Sequence, residues 1–356
     1  MGIRARGVAA AIACALIAGC TSTPFGFTPS LVPTGQPGAA GPCGFARHDL
    51  GNPAKPTLAV SVFEPTGDGR PFTGGTCGDS SRPVVAFIHG WLAYLPEIHQ
   101  GFIEHLTSQG FVVVFADYDF NNVVTDPEGS YAVADAGVVA GVASSRGDPT
   151  RVGIIGHSLG GGMAPWMVQQ TAARGWGSTA LWVVLFAPHY AFLLPDGPIE
   201  VPSHTRALVV AYEHDAWIDA RIGIEIFHSL TLDADHKQHL MVMTDLAGSP
   251  PRAGSHLGPV SFEALPYPID ELTTDDEDRW AAFRPVDAIA RCALDGTWCD
   301  ADLADMGTWP DGRPARPGIS TDQPVDRGDP ALQECEFPLN PRPCVAVEAG
   351  GGEPPG

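Results

Sequence analysis

The chain has 356 residues, 44% of them apolar and 17% charged, and 20 Lys and Arg stand against 41 Asp and Glu for a formal charge of −21. That composition is globular rather than disordered, and the length suits one large core with terminal extensions. Only Lys55 and Lys237 are lysines. So acidic a chain offers no basic surface to neutralise phosphates, which argues against nucleic acid as a partner.

Arg4 and Arg6 precede an apolar run from Val8 to Ala18 that is too short to stay in a bilayer, so residues 1–19 read as a signal peptide. Its end, Leu16-Ile17-Ala18-Gly19-Cys20, resembles the lipobox of bacterial lipoproteins, which implies that Cys20 becomes the lipid-modified first residue of the mature chain. The alternative is an ordinary secretory signal that happens to contain a cysteine. Cleavage leaves 18 cations against 41 anions, a charge of −23. Attachment to a lipid bilayer would therefore come from the N-terminal acyl anchor and not from charge. The expected location is exported, as a membrane-anchored lipoprotein in the periplasm or at the cell surface. Thr21 after Cys20 resembles outer-membrane sorting.

Residues 20–42 carry Pro24, Pro29, Pro33, Pro37 and Pro42 among small polar residues, a spacing expected of a tether. Residues 43–299 are expected to be the catalytic domain. Strands are legible at Leu58 to Phe63, Val84 to Ile88, Phe111 to Ala116, Val152 to Ile155, Ala180 to Phe186, Ala207 to Ala211 and His239 to Met243, with room between the later ones for crossover helices. Continuous apolar runs mean strands buried on both faces, hence an α/β fold with a mostly parallel central sheet flanked by helices. Residues 300–356, rich in Pro and Gly, read as a tail, and its Asp300, Asp302 and Asp305 as solvated surface. With Cys14 lost in the signal, Cys43, Cys77, Cys292, Cys299, Cys335 and Cys344 remain. An even number in an exported chain implies disulfides and leaves the pairing open, the sequence-local pairs being favoured. No Cys or His spacing suits a metal, and the same emptiness holds for a His228, His236 and His239 cluster with Asp233 and Asp235.

The chemistry is carried by Gly156-His157-Ser158-Leu159-Gly160, which follows the strand Arg151 to Ile155 and precedes a helical stretch. Such a strand, tight turn and helix make a nucleophile elbow, in which flanking glycines permit close packing and Ser158 projects above the sheet. A phosphate-binding loop is the alternative reading, but the P-loop lysine and the dinucleotide spacing are missing. Serine needs a histidine base and a carboxylate that orients it, in the chain order Ser, acid, His. The strand Ala207 to Ala211 runs into Tyr212-Glu213-His214-Asp215, offering Asp215 first, Asp219 second and Glu213 third. Beyond the next strand, Gly254-Ser255-His256 offers His256, with His228, His236 and His239 as rivals. The oxyanion donors expected are the backbone N–H groups of Trp91, just past His89-Gly90, and Leu159. His89 is expected to brace its loop.

Together these residues resemble the α/β-hydrolase superfamily, and within it the cutinase-like polyester hydrolases and the acetylhydrolase and dienelactone-hydrolase-like serine esterases, over about residues 57 to 295. The resemblance implies hydrolysis of a carboxylic ester, small or polymeric, through an acyl-enzyme, with no cofactor and with Trp91, His189 and Trp217 lining the substrate site. Ala187-Pro188-His189-Tyr190 and His89-Gly90-Trp91 depart from the polyester-hydrolase pattern. Polyester hydrolysis, amide or peptide hydrolysis on the same triad, and a catalytically inactive binding protein are the alternatives.

Overall fold

The computed structural model describes residues 32–248, 251–261, 273–309, 311–324, 326–328 and 331–342. The expected signal peptide, Cys20 and Cys344 lie outside the described residues. Among the described residues no helix is long and apolar enough to cross a membrane.

One sheet organises the chain. Its strands are β1 (Gly44–Asn52), β2 (Lys55–Thr66), β3 (Arg82–Ile88), β4 (Val112–Ala116), β5 (Gly147–His157), β6 (Ala180–Phe186), β7 (Arg206–Tyr212), β8 (Lys237–Val242) and β9 (Ile319–Thr321), in the order β1-β2-β4-β3-β5-β6-β7-β8-β9. From β4 through β8 all neighbours are parallel, and the pairs at the two edges are antiparallel. The helices are α1 (Gln100–Ser108), α2 (Pro127–Ala143), α3 (Leu159–Ala173), α4 (Ala220–Ser229) and α5 (Arg284–Asp295), the last preceded by a π-helical stretch, Asp278–Phe283.

The apolar runs explain this layering, because alternate residues of each central strand feed separate cores. Val84, Ala86 and Ile88 pack with α2, α3 and α4 through Val138, Met163, Met167 and Ile226. Val85 and Phe87 pack on the other face with Phe102 and Leu106 of α1 and Val286 and Ala290 of α5. Both faces being covered, the sheet has the α/β-hydrolase architecture expected from the sequence, and parallel strands place all their carboxyl ends on one side.

The tether and tail do not stay clear of the domain. Gly38 N donates to Asp287 Oδ2 at 2.8 Å, Gly41 N donates to Ser108 Oγ at 2.9 Å, and Val32 and Ala39 are buried. Proline and glycine there rule out regular structure without ruling out docking. The tail likewise supplies β9, the buried Trp309 and the buried Cys335. Asp300, Asp302 and Asp305 are exposed, with the Asp302 carbonyl accepting from Arg284 Nη1 and Asp305 Oδ2 3.7 Å from Arg284 Nη2. β1 escaped the sequence reading because, as an edge strand exposed along most of its length, it carries no apolar run. Cys43–Cys77 and Cys292–Cys299 are bonded, and Cys335 is also in a disulfide.

Arg342 anchors the far end of the tail: its Nε donates to Glu225 Oε2 at 2.6 Å, and its Nη groups donate to the carbonyls of Leu194, Pro195 and Gly197. Both charged side chains are buried. Arg342→Ala would strand the Glu225 carboxylate and is expected to lower the unfolding free energy by about 3 kcal/mol in urea denaturation. An unchanged midpoint would mean that residues 331–342 add nothing to the fold.

Candidate active site

β5 ends at His157, and α3 begins at Leu159, so Ser158 alone makes the turn. Its φ of 54° and ψ of −119° lie in a region costly for a residue with a Cβ, on the order of 1–3 kcal/mol. The surroundings hold it there: Ser158 N donates to Phe186 O at 2.9 Å, while its carbonyl accepts from Gly162 N at 3.1 Å and His189 N at 2.9 Å. Ala187, past β6, and Leu92, past β3, also have positive φ, so backbone strain gathers at the carboxyl ends of three central strands.

The glycines flanking the turn are there for space. A Cβ on Gly156 would lie 2.3 Å from Gly160 O, and one on Gly160 would lie 2.1 Å from Ile88 O. The same closeness brings the loop after β3 against the turn, since a Cβ on Gly90 would meet Ser158 Cβ at 3.0 Å. Trp91 follows in that loop with its side chain exposed, and Leu159 is buried as the first residue of α3. His89 is buried under the loop, its ring stacked on Tyr118 at 4.3 Å, while the Tyr118 hydroxyl donates to His89 O at 2.7 Å. That is the bracing role expected of it.

The three candidate acids have different partners. His256 Nδ1 donates to Asp215 Oδ2 at 2.7 Å, and both side chains are buried. Asp215 Oδ1 accepts from Trp217 N at 2.8 Å and Ile218 N at 2.9 Å, which fixes the carboxylate and leaves Oδ2 for the histidine. With Nδ1 protonated toward Asp215, the other ring nitrogen of His256 carries the lone pair. Asp219 instead caps α4, accepting from Arg221 N at 3.1 Å and pairing with Arg221 Nη2 at 2.7 Å. Glu213 accepts from Thr244 N at 2.9 Å and pairs with Arg316 at 2.8 Å. The rival histidines lie elsewhere: His236 and His239 sit at the start of β8, the end opposite Asp215, and His228 lies in the last turn of α4. Burial drives the His239 ring down to about 3 and lowers that of His228.

His157 was singled out only as part of the motif, yet it ties the two halves of the site. Its Nε2 donates to His256 O at 2.9 Å, and the two rings lie 4.8 Å apart. Burial, His256 and His99 hold His157 well below the usual histidine range, so it is a neutral brace. Trp217, exposed, has its ring 5.2 Å from that of His256. His189 lies beside the turn through its N–H to Ser158 O, and burial and His256 pull its ring down to about 4. The tail also reaches this region, for Tyr190 Oη donates to Glu334 O at 2.5 Å and Cys335 N donates to Asp219 Oδ2 at 3.4 Å. No sequence signal announced that approach. Among the described residues no group of three or more His, Cys, Asp or Glu could hold a metal.

No protein-family model and no curated protein matches the chain. Among solved structures, it is similar to a mutant of the esterase rPPE, with a TM-score of 0.45 and 17% identity, over 71% of this chain and 84% of that one.

Because neither wall of the turn is a flexible side chain, Gly160→Ala is expected to destabilise the fold by about 3 kcal/mol or to prevent soluble expression. Unchanged thermal stability would show that the turn has more room than this packing allows.

Proposed function

We propose that the chain is an exported, lipid-anchored serine hydrolase of carboxylic esters, with Ser158 as nucleophile, His256 as general base and acid, and Asp215 as its orienting carboxylate. The observation that carries this reading is the buried His256–Asp215 hydrogen bond, set beside the strained Ser158 turn by His157. Ser158 Oγ attacks the ester carbonyl while its proton passes to the free nitrogen of His256. The tetrahedral oxyanion is met by the N–H groups of Leu159 and Trp91, donors already fixed by α3 and the braced loop. Collapse expels the alcohol, which takes the proton from His256. Water, deprotonated by the same nitrogen, then attacks the acyl-enzyme and releases the acid and Ser158. The reaction balances with ester and water alone.

A second reading, polyester hydrolysis, is favoured by one feature. Trp91 and Trp217 present exposed rings on the loops after β3 and β7, with Leu92, Tyr94 and Leu95 also exposed. An open aromatic rim suits an extended apolar chain better than a small soluble ester. Lipid attachment at Cys20 would hold that rim at a membrane or cell surface.

Ser158→Ala is expected to reduce kcat on an activated short-chain ester by about 10⁴-fold or more. Asp215→Asn should cost about 10³- to 10⁴-fold through the wrong histidine tautomer, whereas Asp219→Asn should stay within about tenfold. Release of soluble products from a polyester film would select the second reading. Full turnover by Ser158→Ala would remove the first, and a ranking of Asp219 above Asp215 would reassign the acid.

A further inference from the structure

His256 stands in a loop, and a general base on a loop needs something to fix it. The loop descends from β8 through Thr244 and Asp245, and its residues 252–256 lie against the start of the π-helical stretch. There Glu277 Oε2 accepts from Ala253 N and Glu277 Oε1 accepts from Gly254 N, each at 3.0 Å. One carboxylate thus takes two successive main-chain donors two and three residues before His256.

The other side of the same peptide faces the acid loop. Gly254 O accepts from His214 N at 3.0 Å, immediately before Asp215, and Gly254 has φ of +51°. Thr244 Oγ1 donates to Ala253 O and accepts from His214 Nδ1 at 2.6 Å. Glu277 is itself held, because Asp275 Oδ1 accepts from Glu277 N at 2.7 Å and from Asp278 N at 3.2 Å, while Asp278 Oδ2 accepts from Asp275 N at 2.9 Å, a reciprocal cap.

We propose that Glu277 is a positioning residue for His256: its two carboxylate oxygens set the register of the Ala253–Gly254 backbone and thereby hold His256 on Asp215. This rests on the triad reading above. Glutamine at 277 keeps the size but turns one acceptor into a donor facing an N–H, so one bond becomes a repulsion.

The charged neighbours give the proposal a distinctive pH signature. Facing Glu277 are Asp275 and Asp278 on its own element, Arg252 on the His256 loop, with Asp276 Oδ2 3.5 Å from Arg252 Nη2, and the buried Tyr212 of β7. Burial and Asp275 push Glu277 up to about 7, against the Gly254 and Ala253 N–H groups and Arg252. An acid raised by folding binds its proton more tightly folded than unfolded, so between its ordinary range and about 7 the fold gains stability as pH falls. Burial raises Asp275 and Asp278 in the same direction. Activity needs the anionic clamp and falls over that interval. Loss of rate on acidification is therefore separable from unfolding.

The test compares the full chain with Glu277→Gln and Glu277→Asp on an activated short-chain ester from about pH 5 to 9, with melting temperatures alongside. Expected for Glu277→Gln is a kcat lowered about 10- to 100-fold with KM within about twofold, and a melting temperature at pH 8 within about 4 °C of the parent. The acid limb of kcat should be shallower in Glu277→Gln than in the parent. Unchanged kcat, or a limb of equal steepness in both, overturns the proposal and leaves the triad reading standing. Should Glu277→Gln fail to fold, Glu277→Asp decides: its shorter carboxylate cannot span both N–H groups as Glu277 does, so a kcat equal to the parent's overturns the proposal. A parent that neither turns over ester nor reacts with a fluorophosphonate overturns the triad reading and this inference with it.

Discussion

The hydrogen bond from His256 Nδ1 to Asp215 Oδ2 is the constraint on which the site depends, because it joins the side chains of two loops that leave neighbouring strands. It is short and shielded from water, where a charge-assisted bond is stronger and an unpaired partner more costly. Every other feature of the site can be read as a means of keeping that pair in place. Two backbone N–H groups hold Asp215 from one side, and the His157 ring holds the backbone of His256 from the other.

The sheet makes such a junction possible. β5, β7 and β8 run parallel, so Ser158, Asp215 and the loop leading to His256 all emerge at one edge although they are far apart in sequence. The turn at Ser158 is strained, and the strain is sustained by rigid neighbours: β3 approaches through Ile88 O and β6 through Phe186 O. A loosely packed sheet would relax that turn, which links the two-sided hydrophobic core directly to the placement of the serine.

Much of this was legible beforehand because the central strands are buried on both faces and so read as uninterrupted apolar runs. The elbow was legible because close backbone approach demands glycine at Gly156 and Gly160, a demand that leaves a sequence mark. Asp215 could be favoured over Asp219 and Glu213 only by position, whereas the structure sets the three apart by distant partners, His256 for Asp215 and Arg316 of the tail for Glu213. Local composition cannot show a partner contributed from a hundred residues away. For the same reason the docking of residues 32–42 and of the tail was invisible: Arg342 finds Glu225, and Asp287 finds Gly38, by tertiary contact without any periodicity. His157 and Glu277 were hidden because they act on main-chain groups, whose positions no side-chain pattern records.

The most direct measurement is covalent labelling of the purified protein with a fluorophosphonate, followed by mass spectrometry of the digested adduct. The account predicts a single phosphonylated residue, Ser158. Absence of labelling in folded protein, or an adduct on a different serine, would contradict it.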